Sequence, residues 1–222
     1  FSLTGGVSAE VGAAGGGDDL VGADLLSFDL TNVNFFAGSG GVFDLADPTA
    51  PVVDTSGAVG IVAAGGTLSL RILTGGNAGT DSYTGLTGSL DTLSLVGVAG
   101  LTVQLTDLAF ASNTTTAPGG AATGDLVDWN TASSGAIALD ETVSLSVAGS
   151  LVIDIDGFVL LGADFAFSLT GGVSAEVGAA GGGDDLVGAD LLSFDLTNVN
   201  FFAGSGGVFD LADPTAPVVD TS

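Results

Sequence analysis

The chain repeats itself. Residues 1–56 recur without a single substitution as residues 167–222, at a constant offset of 166 residues. Internal periodicity decides architecture before length does, because each copy is one structural unit that packs against its neighbours. We therefore divide the chain into one complete repeat unit, residues 1–166, and the start of the next identical unit, residues 167–222. Both ends fall inside a repeat, so we expect an excerpt from a longer tandem array.

Apolar and polar residues alternate through most of the chain. Val143, Leu145 and Val147 alternate with serines, which is the two-residue period of a β-strand. Asp156-Gly157 separates two such runs and is a strong β-hairpin signal. No segment keeps a 3.6-residue apolar period over three turns, and lysine, a common residue of helix surfaces, is absent. The sequence therefore predicts an all-β protein with little or no helix.

Two elongated β architectures fit this pattern. In the first, antiparallel hairpins wind into a tube; in the second, a β-solenoid stacks about eight coils of roughly 20 residues per period. Glycines inside apolar runs, such as Gly22 and Gly149, mark bends that let a sheet wrap. The Asp156-Gly157 turn favours the hairpins, whereas "LTNVNF" and "LTDLAF" are typical of solenoid coils. Either architecture is fibre-forming, since each unit needs a neighbour to close its ends.

The alternating pattern continues across the boundary between the two units. No proline, charge run or flexible linker interrupts the chain at Ala166-Phe167, although separate domains are usually joined by such a linker. We expect one continuous sheet, in which residues 166 apart, such as Phe28 and Phe194, occupy equivalent environments. Phenylalanine supplies 13 of the 15 aromatic residues, and we expect core positions at Phe35, Phe36, Phe165 and Phe167.

The charge of the chain is one-sided. There are 26 acidic residues and one base, Arg71. Such a chain repels nucleic acid and anionic membranes, which bind through Lys and Arg. We therefore expect no nucleic-acid partner. No apolar run approaches the 18 or so residues of a membrane span, so we expect no membrane span either. The acidic surface attracts divalent cations, and its self-repulsion has to be screened by salt, calcium or both.

No catalytic constellation is present in the sequence. Cys, His and Lys are all absent, which excludes most nucleophilic triads, imidazole or thiolate metal sites and Schiff-base chemistry. Asp154 and Asp156 could supply the two carboxylates of a glycosidase. A catalytic pair of this kind usually lies in a cleft with aromatic platforms, and Trp129 and Tyr83 are the only aromatic residues besides phenylalanine. We therefore interpret Asp154 and Asp156 as solvated carboxylates beside a turn. The sequence predicts no enzyme.

An acidic, glycine-rich loop is the candidate cation site. The stretch "AGGGDDLVGADLL" is similar to the calcium-binding nonapeptide, but its spacing differs by one residue and it occurs once per period. A simpler site built from carboxylates and backbone carbonyls suits calcium better. The sequence predicts it at Asp18 and Asp19, and in the second copy at Asp184 and Asp185. Calcium is the only cofactor that we expect.

A threonine-rich stretch offers candidate glycosylation sites. Asn113-Thr114-Thr115 is an N-glycosylation sequon, and the surrounding "SNTTTAPGGAATGD" reads as a polar loop that could also carry O-linked sugars. An unmodified loop is the alternative interpretation.

Two phrases resemble a known class of protein. The run "GSLVIDIDGFVLLGADFAFS", followed by a hairpin and "DLLSFDLTNVNFFAGSGG", resembles the tandem-repeat modules of very large bacterial extracellular and surface adhesin-like proteins. The resemblance covers about half of the period and implies an elongated, adhesive role at the cell surface or in a biofilm. It carries no active site.

These observations lead to one main hypothesis and one alternative. The first is a structural extracellular filament or adhesin shaft whose partners are copies of itself, in a tandem array or a head-to-tail polymer. The alternative is a calcium-dependent binding module that presents acidic loops to ions or glycans.

Overall fold

The chain folds into β-strands joined by turns. The computed structural model describes residues 1–12, 20–47, 51–76, 79, 81–116, 126–178, 185–210 and 218–220. These residues contain thirteen strands and no α-helix, which confirms the all-β prediction, and accordingly no helix that could cross a membrane. The strands are β1 (Ser2–Val11), β2 (Leu20–Ser39), β3 (Val42–Asp44), β4 (Val52–Asp54), β5 (Val59–Thr74), β6 (Ser82–Val96), β7 (Leu101–Thr116), β8 (Val127–Asp128), β9 (Val143–Ile155), β10 (Val159–Glu176), β11 (Asp185–Ala203), β12 (Val208–Asp210) and β13 (Val218–Asp220).

Nine strands form one open sheet. Their order is β11-β10-β9-β7-β6-β5-β2-β1-β8, and each neighbouring pair is antiparallel. The expectation of antiparallel hairpins is therefore confirmed. The tube and the solenoid are not seen, because the sheet stays open between β11 and β8 and the described strands form no parallel coils. Short turns join neighbouring strands such as β9 and β10 directly, whereas parallel pairing needs a crossover of a dozen or more residues.

The predicted turn at Asp156-Gly157 joins β9 to β10. Both residues have a left-handed backbone, with φ of 54° and 65°. The Phe158 N–H closes the turn on the Ile155 carbonyl at 2.8 Å. The Asp154 carboxylate accepts a further hydrogen bond from the Gly157 N–H at 2.8 Å. An Asp-Gly pair suits this turn because both residue types tolerate positive φ.

The phrases "LTNVNF" and "LTDLAF" form β-bulges in this sheet. Their third residues, Asn32 and Asp107, have φ of 53° and 51°, and the strand register shifts at both positions. Asn and Asp are the non-glycine residues that adopt this conformation most readily. The phrases therefore mark places where one strand carries an extra residue and bends, and their interpretation as solenoid coils was wrong.

The two copies of the repeated segment have the same local structure. β1 pairs with β2 in the register Leu3↔Leu26, and β10 pairs with β11 in the register Leu169↔Leu192, each residue 166 positions later. The register shifts of the first pair recur at the same positions of the second, and the short hairpins β3–β4 and β12–β13 also share one register. Each copy's own sequence therefore determines its hairpins and bulges.

One strand crosses the boundary between the units. β10 passes through Ala166-Phe167, pairs with β9 of the first unit as far as Thr170, and pairs with β11 of the second unit along its length. At this point the backbone hydrogen bonding of the sheet is uninterrupted.

A stretch with little strand structure covers part of one face of the sheet. Residues 126–142, which we call the cover segment, lie over β1, β2 and β5 and hydrogen-bond to the edge of β1, where Val11 pairs with Val127. Trp129 from this segment is fully buried. The buried core between segment and sheet consists of Val7, Ala9, Val11, Leu20, Ala23, Leu25, Leu73, Val127, Trp129, Ala132 and Leu139.

A second, smaller core lies under the hairpin β12–β13. Phe209 packs there on Val152 and Leu160 and is 8% exposed. It is the only phenylalanine that is buried among those whose exposure is described. Of the expected core positions, Phe35 is 40% exposed and the other three are half-buried. The expectation was wrong for Phe35 because the sheet is mostly a single layer, so one face of many strands has no second layer above it.

Candidate assembly surface

The loops predicted to bind calcium are not described. Asp18, Asp19 and Asp184 lie outside the described residues, and for Asp185 only the backbone, at the start of β11, is described. Elsewhere, no group of three or more acidic side chains among the described residues is arranged to hold a metal ion. The calcium site stays a prediction.

Asp154 and Asp156 do not lie on one strand face. β9 ends at Ile155, so Asp156 belongs to the turn, and Asp154 accepts the turn's hydrogen bond. Both border a cavity of about 320 Å³. Its other lining residues are Val98, Gly100, Leu101, Thr102 and Gly157. None of them is aromatic, and these contacts support the interpretation as turn carboxylates.

Asn113 is a buried core residue of β7, so its placement in an exposed loop was wrong. Its side chain is part of a closed hydrogen-bond network and the residue is 1% exposed. Oδ1 accepts from Trp129 Nε1–H at 3.0 Å, and Nδ2 donates to the carbonyls of Val127 at 2.8 Å and Asp140 at 3.1 Å. A buried amide must satisfy its donors and acceptors internally, and this one leaves no room for a glycan in the folded state. Residues 117–125 of the expected loop lie outside the described residues.

The indole of Trp129 rests against a glycine. A Cβ atom added to Gly85 would lie 2.6 Å from the indole ring, closer than packed carbon atoms come. Glycine at this position of β6 therefore makes the space into which the cover segment inserts its tryptophan.

Arg71, the one basic residue, also ties the cover segment to the sheet. Its Nη1 forms an ion pair with Asp29 Oδ1 at 2.8 Å, and its Nε–H donates to the carbonyl of Gly135 in the cover segment at 2.7 Å. The Ser69 hydroxyl donates to the same Asp29 oxygen at 2.8 Å. Hydrogen bonds from Arg71 and then from Ser69 hold the pKa of Asp29 below its usual value.

The two copies differ in what covers them. In the first copy, Leu20 is 3% exposed and Leu25 is 1% exposed, both under the cover segment. Their counterparts in the second copy, Leu186 and Leu191, are 52% and 48% exposed. Nothing among the described residues lies over this face. We call it the docking face, and it comprises Val173, Ala175, Val177, Leu186, Ala189 and Leu191, which match core residues Val7 to Leu25 of the first copy.

The second copy also has an unpaired sheet edge. β2 of the first copy is hydrogen-bonded to β1 on one side and β5 on the other. Its counterpart β11 is paired only with β10 within the described part of the chain. An exposed edge of this kind is a template for pairing with another strand.

Polar groups show the same difference between the copies. In the first copy, the backbone N–H groups of Ser8 and Glu10 donate to cover-segment hydroxyls, both at 2.9 Å. In the second copy, an open pocket of about 550 Å³ borders Ser174, the counterpart of Ser8. Asp195, the counterpart of Asp29, has no base to pair with in this chain, because the only one is held by Asp29.

At the other end of the sheet the first copy is the incomplete one. Phe43 of hairpin β3–β4 is 48% exposed, whereas its counterpart Phe209 is buried on Val152 and Leu160. Phe1 is 87% exposed, whereas its counterpart Phe167 is half-buried. Each copy therefore has the contacts that the other lacks.

Sequence reasoning missed the cover segment. Two signals could have indicated it: residues 126–142 break the apolar alternation, and they contain the only tryptophan. A long connection with little strand structure and with a large apolar side chain is more typical of a packed covering loop than of a hairpin tip.

Comparisons with known proteins returned no match to a family model, a curated protein or a solved structure.

Proposed function

We propose that the protein is a structural extracellular filament or adhesin shaft built from tandem β repeats, without catalytic activity. The observation that carries the proposal is the course of β10. This strand belongs to the first unit at its start and to the second at its end, and it stays paired on both sides across the boundary as far as Thr170. Domains joined by a flexible linker would show a break in the sheet at this boundary.

Side-chain contacts across the boundary support a rigid junction. Asn198 of the second unit donates to Asp164 of the first at 2.6 Å. Phe209 of the second unit fills the space over Val152 and Leu160 of the first. Side chains interlocked in this way resist bending between units, as a shaft requires.

The strand order defines the geometry of such a shaft. β2 and β11 have the same sequence and lie six strands apart in the sheet. Strands in a sheet are spaced about 4.8 Å apart, so each repeat would advance the sheet by about 29 Å. The strands would run across the shaft, and the hydrogen bonds would run along it.

Chains of increasing length test the proposal. We would compare chains extended by one, two and three further periods of 166 residues, using electron microscopy and small-angle X-ray scattering. A shaft predicts rods whose length grows by about 29 Å per added period. Flexible strings of separate particles, or compact particles of unchanged length, would contradict it.

The extracellular or cell-surface location is part of the same proposal. It is supported by the resemblance to repeat modules of bacterial surface proteins. The chain also has no cysteine, so its fold does not depend on the redox state of the compartment. Its partners in this proposal are copies of itself.

A further inference from the structure

We infer that the sheet packs face to face on a second molecule of this chain, through the apolar face that lies on the side away from the cover segment. Alternation defines this apolar face. It comprises the odd-numbered residues from Leu145 to Ile155 of β9, the odd-numbered residues from Val159 to Leu169 of β10, and the residues of β5, β6 and β7 in register with them. The inference goes beyond the proposed function, because it concerns how two sheets associate and applies to a single unit as well as to a shaft.

The two faces of the sheet differ in polarity. Leu145 pairs with Leu169 on the apolar face, whereas the next pair along, Ser146 and Ser168, lies on the opposite face. Through β5, β6 and β7 the same register places mostly leucine, isoleucine, valine and phenylalanine on the apolar face and mostly serine, threonine and alanine on the other. An antiparallel sheet of this kind normally buries its apolar face against a second layer.

Within the described part of the chain, nothing lies over the apolar face. On the opposite face, Leu73 is buried under the cover segment, and Val152 and Leu160 are buried under the hairpin β12–β13. On the apolar face, no side chain larger than that of alanine is buried. Strands β5, β6, β7 and β9 each have a paired strand on both sides, so the open face is not an effect of a free sheet edge.

The area of the apolar face is sufficient for a stable dimer. Its five strands, spaced about 4.8 Å apart, span about 24 Å, and the 13 residues of β9 extend about 43 Å. The face therefore offers roughly 1,000 Å² on each molecule, whereas a stable protein–protein interface buries about 800 Å² per partner. Contiguous apolar patches on monomeric proteins rarely exceed a few hundred Å².

Glycines on the apolar face are filled in from neighbouring strands. The ring of Phe110 lies over Gly88, and the side chain of Leu90 lies against Gly66. The missing Cβ atoms therefore leave no gaps in the face. Two sheets that pack at a distance of about 10 Å need such closely fitting inner faces.

The distribution of charge favours this mode of contact. Within the five strands as far as Leu169, the positions that alternation assigns to the apolar face contain no charged residue. Asp154 and Asp164 lie on the opposite face, and Asp91 and Asp107 lie at the bulge, outside the alternation. Two molecules joined through their apolar faces would therefore keep most carboxylates of these strands on the outside, which limits their mutual repulsion.

The same charge selects a second copy as the occupant. A chain with 26 acidic residues and one base is repelled by an anionic membrane. A second copy offers an apolar face of equal area and equal strand spacing, so the contact can be self-complementary about a two-fold axis.

The mass of the full chain in solution is the first test. Light scattering between about 10 µM and about 1 mM should approach twice the chain mass of 21.3 kDa as the concentration rises. Val147→Glu places a charge on the apolar face and should give the monomer mass with an unchanged circular dichroism spectrum. Ala148→Glu is the matched control, since it places the same charge on the next residue, on the opposite face, and should leave the dimer intact.

Thiol labelling identifies the face that is buried. The chain has no cysteine, so Val147→Cys and Ala148→Cys each introduce one reporter thiol. In the dimer, the thiol at position 147 should react with a maleimide at least about ten-fold more slowly than the thiol at position 148, because buried thiols are inert. Dilution to the monomer should bring the two rates together. This pair of small changes decides the question if Val147→Glu does not fold.

Four results would overturn the inference. They are a monomer at every concentration up to about 1 mM, a dimer whose two thiols react equally, protection of position 147 in the monomer, and a monomer that binds neutral phosphatidylcholine vesicles with position 147 protected. The third would mean that the chain covers its own apolar face, and the fourth would assign the face to lipid.

Electron microscopy of chains extended by further periods separates this inference from the proposed function. Rods that lengthen with each added period but contain one chain in cross-section would contradict the face-to-face dimer and leave the shaft standing. Dimers with position 147 protected that do not form rods would do the reverse.

Discussion

At the scale of single residues, polar side chains hold the cover segment in place. Asn113 accepts a hydrogen bond from the indole N–H of Trp129 and donates hydrogen bonds to two backbone carbonyls of the cover segment. No buried side-chain polar atom in the described part of the chain lacks a hydrogen-bond partner. A buried hydrogen-bond network in which every group is paired favours one packing arrangement, whereas the loss of one member leaves the other buried groups without partners. These hydrogen bonds therefore fix the position of the segment together with its buried apolar side chains.

Replacing Asn113 tests this network. We expect Asn113→Ala to lower the free energy of unfolding by about 2–4 kcal/mol, because the indole N–H and two carbonyls lose their buried partner. Urea unfolding followed by fluorescence of Trp129, the only tryptophan, measures the change. Thr115→Ala is the matched control, since it also removes the sequon and leaves the Asn113 hydrogen bonds intact. Equal destabilisation by both variants would show that the network is not the cause.

The repeat supplies a natural control for the single ion pair. Asp29 is bonded to Arg71, while Asp195 has the same sequence neighbours and no base nearby in this chain. We expect Asp29→Asn to lower the free energy of unfolding by about 1–2 kcal/mol at pH 7. This value lies between those of exposed and buried ion pairs, because Arg71 is buried and Asp29 is half exposed. Asp195→Asn should be neutral or slightly stabilising, since it only reduces repulsion.

The pH dependence of this difference has a defined sign. The pKa of Asp29 lies below its ordinary value of 3.8 in the folded protein, chiefly because of the hydrogen bond from Arg71. A carboxylate whose pKa is lowered by folding stabilises the protein above the unfolded pKa, and this stability is lost as the pH falls through the folded value. Unfolding curves of the unmodified chain and Asp29→Asn should therefore differ at pH 7 and converge below 3.8. A difference that persists at the lowest pH would contradict the assignment.

At the scale of elements, segments of identical sequence contribute unequally to stability because their neighbours differ. Leu25 is buried under the cover segment and Leu191 is not, whereas Phe209 is buried on β9 and β10 and Phe43 is not. We expect Leu25→Ala and Phe209→Ala each to cost about 3 kcal/mol, and their counterparts Leu191→Ala and Phe43→Ala less than about 1 kcal/mol.

Chemical unfolding of the four variants measures this crossed pattern. Each pair makes the same substitution in the same local sequence, so propensity and unfolded-state effects cancel. Equal costs within either pair would mean that the environments of the two copies do not differ as described. In a chain extended by one more period, Leu191→Ala should become as costly as Leu25→Ala, since its face would then be covered.

The elements that could be read from the sequence are those specified by local chemistry. Alternation predicted the strands, Asp156-Gly157 predicted the hairpin between β9 and β10, and the unbroken pattern at Ala166-Phe167 agrees with the continuous course of β10. Local signals suffice here because turn geometry and side-chain alternation are determined within a few residues.

The candidate assembly surface could not be read in the same way, because it depends on contacts between distant residues. Asn113 sits in a polar, threonine-rich sequence that is typical of a loop, and only its partner Trp129, 16 residues later, makes it a core residue. The phrases around Asn32 and Asp107 were interpreted as solenoid coils because the sequence does not show which strands they pair with, and the bulges become visible only in the pairing with β5 and β9. Which copy is covered depends on neighbours rather than on sequence, as identical segments in two environments demonstrate.

At the scale of the whole molecule, charge opposes the assembly that the sheet favours. Of the 26 acidic residues, one carboxylate, Asp29, is paired with the only basic side chain, so neighbouring units of a shaft would face each other with the same sign. Repulsion between exposed carboxylates is long-ranged at low salt and is screened within about 10 Å at 0.1 M ionic strength. Compact states suffer more from it than expanded ones do.

This charge predicts a salt dependence that separates screening from calcium binding. Raising NaCl from about 10 mM to about 500 mM should raise the melting temperature by several degrees, since each kcal/mol is worth about 2–4 °C in a chain of this size. CaCl₂ at equal ionic strength should raise it further if Asp18, Asp19, Asp184 and Asp185 bind the ion, and replacing all four with Asn should remove only that extra increase. Circular dichroism melting curves, with a chelator as the reference condition, measure both effects. A melting temperature that does not change with NaCl would contradict the screening argument. Equal effects of the two salts would contradict calcium binding and would mean that screening by salt alone stabilises the shaft.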